Sequence, residues 1–579
     1  MMATLSEKTQ ARLRTELNFI FESDHATIEK IEREIGAMAA SASRRNPART
    51  VSNRDTWLIT YGDSLKQHGQ KGLHLLARFY EKYLGEIISD MHILPFFPWS
   101  SDDGFSVMDY YRIDPKLGDW DDVKDLRDKC GLMFDAVLNH MSSESEWFKR
   151  FLNGDPRFSR YFIEVKDDWD LERVFRPRTL PLVSEFESPS GIRKLWTTFS
   201  RDQIDLNAGD PDVFLEFSRI LLFYSSMGAR VIRLDAIGFL WKEPGTSCMH
   251  HPKTHAIIRF WRALLDELAP GTLVITETNV PHAQNISYLG LGGDEAHMVY
   301  QFPLPPLALH ALHTGSACEI RKWLATVESS PPGTTYFNFL ASHDGIGVLP
   351  ASGWLDESQL SAMIEKVIRH GGHISYRKNP DGSESPYEMN ITYFEAVSDP
   401  SEPEDLRIAK FIAAHCLLLS VRGVPAIYIH SLLGSLNDES GYRQSGIKRR
   451  INRERLDFAS LCDELDDAAH RRGKVFRGLS ALLHARSNLK ALDPYSAMKV
   501  LECDHRVIAL ERILPDGAER VLCLVNVSSD RISLAELLSG LRGEGAESWP
   551  AGNEYFDAIS GQSGIHHIES YQGLWLSIR

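Results

Sequence analysis

The chain has 579 residues, 43% of them hydrophobic and 25% charged, so it is long enough for a large core with accessory domains. A formal net charge of −15 argues against nucleic acid as a partner, because the protein would repel the phosphate backbone. The seven cysteines include no C-x-x-C pair, and the sequence shows neither a signal-peptide pattern nor a long apolar stretch. We therefore predict a cytoplasmic protein that lies outside the membrane.

Residues 1–50 are predicted to form a helical arm followed by a linker. Leu13, Leu17 and Ile20 fall near one face when this segment is placed on a helical wheel. The stretch from Ala39 to Arg49 is rich in Ala, Ser, Arg and Pro, which is typical of a linker. We therefore expect the arm to precede the main domain.

From Trp57 onward, short apolar runs alternate with amphipathic helical patterns, as in repeated βα units. The clearest strand candidates are 91–94, 132–138, 229–234, 273–276, 335–340 and 424–429. A helix is predicted over 210–227, with Asp210 as its N-cap, Pro211 in its first turn and Gly228 after its end. The sequence thus predicts an α/β fold, a (β/α)8 TIM barrel built from residues 51–141, 207–344 and 404–487.

Two segments interrupt this alternation and a third follows it. Residues 142–206 are rich in charged and aromatic side chains, and residues 345–403 are polar with Gly371-Gly372. Each follows the carboxyl end of a strand, so we expect two inserted domains, B and B′, over the catalytic face of the barrel. Residues 488–579 show β-like runs joined by turns, which predicts a C-terminal antiparallel β domain.

Two of the predicted strands carry residues suited to acid and base chemistry. In the run 229–236, the two-residue period of a strand puts Arg233 and Asp235 on the same face. We expect the adjacent cation to keep the Asp235 carboxylate ionised, as a nucleophile requires. Glu277 lies where a buried strand gives way to a polar loop, which favours a raised pKa and a role as proton donor and acceptor.

Two further strands end in polar groups. Asp135 lies within one of them and Asn139-His140 at its end, and His343-Asp344 follows the other. A single residue of this kind is as often a structural ion pair or a cap as part of a site. Four such groups at four strand ends are difficult to obtain by chance, because barrel enzymes place catalysis at those ends. The sequence therefore predicts one active site assembled from four strands.

These residues, in this order, resemble the α-amylase clan, glycoside hydrolase family 13. The four characteristic regions of the clan match residues 135–140, 228–236, 277 and 343–344. Within the clan the chain resembles the sucrose phosphorylase subfamily, through segments 58–63, 101–106, 175–178, 342–347 and 450–453. In that subfamily it is most similar to the glucosylglycerate phosphorylases, through segments 195–200, 239–248, 276–282, 294–302 and 379–388 and the N-terminal arm.

The resemblance implies a retaining glycoside phosphorylase, a hexosyltransferase that works through a β-glucosyl-aspartate intermediate. Its donor would be an α-glucoside, with 2-O-α-D-glucosylglycerate as the best match, and phosphorolysis would release α-D-glucose 1-phosphate and D-glycerate. Asp235 would be the nucleophile, Glu277 the acid/base, and Asp344 the group that stabilises the oxocarbenium-like transition state.

The resemblance also assigns the binding positions. The glucose-binding positions are Asp63, His140, Arg233, His343 and Arg449, with Tyr110 standing where sucrose phosphorylases have the histidine of an Asp-His pair. The phosphate-contacting positions are Arg178 and Tyr387, with Arg176, Arg377 and Lys378 adding charge nearby. Glycerate carries a carboxylate, so the same basic groups are expected to hold phosphate and the acidic acceptor in turn.

No metal or other cofactor is expected, since phosphate is a co-substrate. The carboxylate pairs at 102–103, 121–122 and 466–467 lack the spacing of a calcium loop and are interpreted as helix caps or solvated groups. The expected partners are a sugar substrate, a glycerate-type acceptor and phosphate. A homodimer is compatible with the sequence, which does not determine the oligomeric state.

Several other functions remain open on the sequence. The same fold and intermediate would serve a glucosylglycerol, sucrose or sucrose 6′-phosphate phosphorylase. Water or a sugar in place of phosphate would make the protein a hydrolase or a transglucosidase. A catalytically silent barrel that assists a transporter is disfavoured, because the carboxylates are present.

Overall fold

The computed structural model describes residues 5–41, 50–379, 381–552 and 554–578. Eight parallel strands close into a barrel in which each strand pairs with the next along the chain and the last pairs with the first. The strands are β1 Trp57–Thr60, β2 Asp90–Ile93, β3 Gly131–Ala136, β4 Ala229–Leu234, β5 Leu273–Thr276, β6 Met298–Tyr300, β7 Thr335–Asn338 and β8 Val424–Tyr428. The predicted (β/α)8 fold is confirmed.

The barrel strands are short and apolar because helices cover their outer face and side chains fill the interior. Every residue of β1, β2, β7 and β8 is buried, as expected of a parallel sheet. The six predicted strands all overlap strands of the barrel. The two others are β1 and β6. The latter has three residues and follows the polar run 294–297, so its pattern is too short to indicate a strand.

Helices surround the barrel. Those that follow successive strands are Gly72–Phe79, Trp120–Arg127, Pro211–Met227, Pro252–Leu268, His282–Ile286, Leu304–Thr314, Glu404–Ser420 and Arg471–Ser487. The helix Pro211–Met227 has the predicted ends: the Asp210 side chain accepts from the backbone N–H of Asp212 and Val213, and Gly228 closes the helix at φ 116°. Glycine adopts that left-handed conformation without steric cost.

Shorter helices lie in the connections. They are Glu146–Leu152, Cys318–Leu324, Glu357–Arg369, Tyr393–Val397, Ile429–Leu432, Glu439–Ser445 and Phe458–Asp466. Within the described ranges no helix is both long enough and apolar enough to cross a bilayer.

Two long connections follow the carboxyl ends of β3 and β7. The first contains two antiparallel pairs, His140–Ser142 with Gln203–Asp205 and Val183–Ser188 with Gly191–Trp196. The second contains a three-stranded sheet of Ile346–Gly347, Glu384–Asn390 and His373–Lys378. Both connections begin on the side of the barrel where TIM-barrel enzymes carry their active sites. We propose 142–206 and 345–403 as the limits of these inserted domains.

The C-terminal part of the chain forms a six-stranded antiparallel sheet. Its strands, in spatial order, are Ala497–Leu501, Val507–Ile513, Arg520–Asn526, Gly573–Ile578, Tyr555–Asp557 and Gln562–Ser563. A separate short pair, Ile532–Ser533 with His567–Ile568, and the helix Leu534–Ser539 pack beside it. These elements agree with the predicted β domain, whose limits of 488–579 we keep as a proposal.

The N-terminal arm consists of two helices, α1 Glu7–Ile20 and α2 His25–Ser41, which pack on the barrel helices Pro252–Leu268 and Pro211–Met227. The predicted inner face of α1 is buried. Glu16 accepts two hydrogen bonds of 2.9 Å from Arg259, which fixes α1 to the barrel. The arm therefore shares the main core. Most of the predicted linker, residues 42–49, lies outside the described residues.

Replacing Leu17 by alanine should loosen the arm from the barrel. Leu17 is fully buried, and a leucine-to-alanine change in a packed core costs about 2–5 kcal/mol. We expect a lower midpoint of thermal unfolding for Leu17→Ala. Phe19 on the same helix is half exposed and provides the control, since Phe19→Ala should leave the midpoint near that of the parent. Equal effects of the two substitutions would contradict the assigned helix face.

Candidate active site

A cavity of about 70 Å³ lies at the carboxyl ends of the barrel strands. Five carboxyl groups line it, and three of them each follow a different barrel strand: Asp235 after β4, Glu277 after β5 and Asp344 after β7. Its other walls include Asp102, Phe105, His140, Arg178, Phe199, Gln203, Arg233, Asn279, His343, Tyr387, Glu388 and Arg449. The structure therefore brings the four polar strand ends of the sequence together in one place.

Arg233 is the cation in the floor of the cavity. Its Nη1 donates to Asp135 Oδ1 at 2.5 Å and to Asp235 Oδ1 at 2.6 Å, and its Nη2 lies 3.9 Å from Glu277 Oε2. The register of β3 and β4 places Asp135 directly beside Arg233. The second oxygen of Asp135 lies 2.7 Å from His92 Nε2, so this acid is bonded on both sides.

Asp235 and Glu277 share one electrostatic environment. Burial, helped by the Glu277 carboxylate, raises the pKa of Asp235, although Arg233 opposes the shift. Burial and the Asp344 carboxylate also raise the pKa of Glu277, again against Arg233. Arg233 lies 2.6 Å from Asp235 and 3.9 Å from Glu277, so it favours the ionised form of Asp235 more strongly than that of Glu277.

The backbone brings the two carboxyl groups next to each other. The N–H of Ala236, the residue after Asp235, donates to Glu277 Oε2 at 2.9 Å. Ala236 has φ 46°, in the left-handed region that residues other than glycine seldom adopt. The chain therefore turns sharply at the end of β4, and this turn places the Glu277 carboxyl beside Asp235.

Asp344 lies against two arginines on another wall. Its Oδ1 is 2.6 Å from Arg449 Nη1 and 3.8 Å from Arg453 Nη2. Burial opposes ionisation of Asp344, but Arg449 and the neighbouring cations hold its pKa well below the usual range. The site thus combines Asp344, whose ionised form the arginines favour, with Asp235 and Glu277, whose pKa values burial raises.

Two neutral histidines complete the inner surface. Burial lowers the pKa of both His140 and His343. His140 Nε2 lies 2.9 Å from the carbonyl oxygen of Phe105 and 3.2 Å from Gln203 Nε2. The His343 ring stacks on Phe105 with centroids 4.8 Å apart. Both rings are therefore held in the wall of the cavity.

Asp63 does not line this cavity, and we correct that expectation. It lines a separate cavity of about 400 Å³ and forms an ion pair of 2.7 Å with Arg455. The loop carboxylate in the active-site cavity is Asp102, whose Oδ2 accepts from Gln203 Nε2 at 3.4 Å. Asp102 belongs to a pair that we interpreted as a cap or a solvated group. The signal that could have identified it is its place in segment 101–106, one of those that carry the family resemblance.

Tyr110 also lies outside the cavity, contrary to the prediction. It is buried behind the site, where its hydroxyl donates to the carbonyl oxygens of Val137 at 2.8 Å and His140 at 3.2 Å. Because a tyrosine reaches farther than a histidine, its ring fills the space behind the loop after β3. Its contact with the site is therefore indirect, through the backbone of His140.

A wider vestibule of about 600 Å³ lies outside the cavity, and Arg178 and Arg449 line both spaces. Tyr387 lines the inner cavity, and burial raises the pKa of its hydroxyl. Two residues predicted beside them lie elsewhere. Arg176 donates to the carbonyl oxygen of Leu180, and Lys378 is exposed on its strand, so neither lines the cavity or the vestibule.

The described residues contain no group of three or more His, Cys, Asp or Glu side chains arranged to hold a metal ion. All seven cysteines are free thiols. The chemistry visible in the cavity is therefore that of carboxyl groups, arginines, histidines and one tyrosine.

Fold and site together define a class of protein: a (β/α)8 barrel with the carboxyl groups of Asp235, Glu277 and Asp344 in one cavity at its catalytic face. The family model "Alpha amylase, catalytic domain" matches residues 80–362. The chain belongs to the α-amylase family, glycoside hydrolase family 13.

Similar proteins give a narrower placement within the family. The chain is 51% identical over 487 residues to a glucosylglycerate phosphorylase of Spirochaeta thermophila, covering 84% of this chain and 82% of that one. It is 44% identical over 530 residues to a glucosylglycerate phosphorylase of Allomeiothermus silvanus, with coverage of 91% and 94%. The solved structure of sucrose 6F-phosphate phosphorylase from Thermoanaerobacter thermosaccharolyticum superposes with a TM-score of 0.71 at 26% identity, covering 83% of this chain and 95% of that one.

Replacing Asp135 by asparagine should destabilise the barrel, because Arg233 loses a buried counter-charge. Breaking a buried ion pair from one side costs about 3–5 kcal/mol. Burial opposes ionisation of Asp135, but Arg233 and His92 lower its pKa to about 2 from the ordinary 3.8. A lowered pKa means that the carboxylate contributes fully above about pH 4 and that its contribution disappears as the pH falls toward 2.

The difference in unfolding midpoint between the parent and Asp135→Asn should therefore shrink below about pH 4. Asp63→Asn is the control, because it breaks a half-exposed pair worth about 0–1 kcal/mol. A difference that stays constant down to the acid limit of folding would rule out the assigned ionisation of Asp135.

Proposed function

We propose that this protein is a retaining glucosylglycerate phosphorylase. It transfers the glucosyl group of 2-O-α-D-glucosylglycerate to phosphate, giving α-D-glucose 1-phosphate and D-glycerate, and also runs in reverse. The observation that carries the proposal is the convergence of Asp235, Glu277 and Asp344 on one cavity that Arg178 also lines. The names of the relatives at 51% and 44% identity support the choice of acceptor.

In the first step, the Asp235 carboxylate attacks the anomeric carbon of the donor. Glu277 gives its proton to the glycosidic oxygen, the bond from that oxygen to the anomeric carbon breaks, and glycerate departs. A β-glucosyl ester of Asp235 results. The contacts of the two acids support this assignment, because Arg233 lies closer to Asp235 than to Glu277 and favours the ionised form of the nucleophile. Asp344 stabilises the positive charge that develops on the sugar ring.

In the second step, a phosphate oxygen attacks the anomeric carbon and the bond to Asp235 breaks. The Glu277 carboxylate takes the proton of the attacking phosphate, which returns the pair to its starting state. Two displacements at one carbon leave the configuration unchanged, so the product is the α-anomer of glucose 1-phosphate. The same two steps, run backwards, glucosylate glycerate.

Phosphate must compete with water for the ester, and a positive, partly dehydrated pocket gives it that advantage. Arg178 supports this role, because it lines both the cavity and the vestibule and has no acidic partner within ion-pair distance among the described residues. Tyr387 supplies a neutral hydroxyl, since burial keeps it protonated. Glycerate and phosphate are both anions, so Arg178 holds each of them in turn.

The sugar itself is held by polar groups around the ring. We assign Asp102, His140, His343 and Arg449 to its hydroxyl groups, because all four line the cavity and each presents a polar atom there. The reaction balances without a metal or an organic cofactor, and its partners are small molecules. A cytoplasmic location is part of the proposal, because free thiols persist in a reducing compartment.

A comparison of donors tests the function directly. Glucosylglycerate, glucosylglycerol and sucrose are each incubated with phosphate, and the glucose 1-phosphate released is measured. We expect kcat/KM to be highest for glucosylglycerate, because only its acceptor presents a carboxylate to Arg178. Asp235→Asn should abolish release from every donor. A preference for a neutral acceptor would reject the assigned substrate, and near-parental activity of Asp235→Asn would reject the mechanism.

Asp102 and Asp63 provide a matched pair for the glucose-binding assignment. Asp102→Ala should lower kcat/KM about 10- to 150-fold, the effect of losing one hydrogen bond to a charged group worth about 1.5–3 kcal/mol. Asp63→Ala should stay near the parent, because Asp63 faces the neighbouring cavity. The reverse ranking would show that Asp63, and not Asp102, contacts the sugar.

A further inference from the structure

Glu388 is a buried carboxylate in the cavity for which the proposed reaction has no use. It is 1% exposed and lines the same space as the three acids that follow β4, β5 and β7. Taking a carboxylate out of water is costly unless a cation and hydrogen bonds compensate it. Its partner is Arg449, whose Nε donates to Glu388 Oε2 at 3.1 Å and whose Nη2 donates to Oε1.

Arg449 connects this acid to the active site. Its remaining nitrogen, Nη1, lies 2.6 Å from Asp344 Oδ1, so Glu388, Arg449 and Asp344 form a continuous row. The three members come from the strand Glu384–Asn390, the short helix Lys448–Asn452 and the segment after β7. Because a guanidinium is planar and rigid, two bonds to Glu388 on one edge determine where Nη1 points on the other.

We infer that Glu388 is a positioning residue, which holds Arg449 with Nη1 on Asp344 and offsets the guanidinium charge inside the cavity. The inference rests on the proposed function, since it explains how a group of that reaction is held in place. Both carboxylate oxygens of Glu388 are bonded to Arg449, so we assign it no direct part in the chemistry. Its effect reaches the chemistry through Arg449.

The charge of Glu388 also acts on the proton that catalysis uses. The charged groups around Glu277 are Asp235 and Arg233 from β4, Asp344 from the segment after β7, and Arg449 from the loop after β8. Of these, both arginines lower the pKa of Glu277. Removing the negative charge of Glu388 leaves the field of Arg449 less compensated, so the proton on Glu277 is lost at a lower pH.

The test uses Glu388→Gln, Glu388→Ala and the control Glu365→Gln in the full chain. Glu365 lies exposed on the helix Glu357–Arg369 of the same inserted domain and lines neither the cavity nor the vestibule, so its substitution removes the same charge away from Arg449. We expect Glu388→Ala to lower kcat about 10- to 150-fold with a smaller change in KM for the donor. Glu388→Gln keeps an acceptor for Arg449 and should recover part of that loss.

The pH profile separates positioning from a purely structural role. The alkaline limb of kcat/KM should move to lower pH by about half a unit or more in both Glu388 variants and stay in place in Glu365→Gln. If the Glu388 variants lower only the thermal midpoint and keep the parental kcat and limb, the inference is overturned. Glu388→Gln decides the question if Glu388→Ala does not fold. If the parent protein is inactive on every donor, the proposed function is rejected. If the parent is active and Asp235→Asn is inactive, the proposed function stands and the result tests the role of Glu388 alone.

Discussion

The active site depends on one buried guanidinium that serves more carboxyl groups than it can neutralise. Arg233 is bonded to Asp135 beneath it and to Asp235 in front of it, with Glu277 at 3.9 Å. Because the distances are unequal, Arg233 stabilises the ionised form of Asp235 more than that of Glu277. The pairing of β3 with β4 places Asp135 beside Arg233, so the charge environment of the site depends on the register of the barrel.

The fold and the three acids could be predicted because they depend on local periodicity. Arg233 and Asp235 are two residues apart in a strand, and the ends of parallel strands in a barrel meet at one face. The choice between Asp63 and Asp102 could not be predicted in this way, since both follow strands at the same face. Which of the two lines the cavity depends on the course of a loop in which Asp102 has φ 52°, and the local sequence pattern does not predict that turn.

The basic loops illustrate the same limit for charged residues. Arg176 and Arg178 are separated only by Pro177, yet one turns to a backbone carbonyl and the other lines both the cavity and the vestibule. Counting positive charges in a loop predicts that an anion could bind nearby, but not which side chain reaches it. Likewise, a tyrosine in place of a histidine at position 110 suggested a sugar contact, whereas its length carries the hydroxyl to the backbone behind the site.

The helical arm has a consequence for how the chain is made. Glu16 and Arg259, which bond α1 to the barrel, are 243 residues apart, so the arm leaves the ribosome long before the surface that covers it. At synthesis rates of about 5–20 residues per second, that interval lasts roughly 10 to 50 s. During this time the apolar stripe of Leu13, Leu17 and Ile20 lacks its final partner. In the nascent chain this stripe therefore stays without the barrel helix Pro252–Leu268 until that helix has been synthesised.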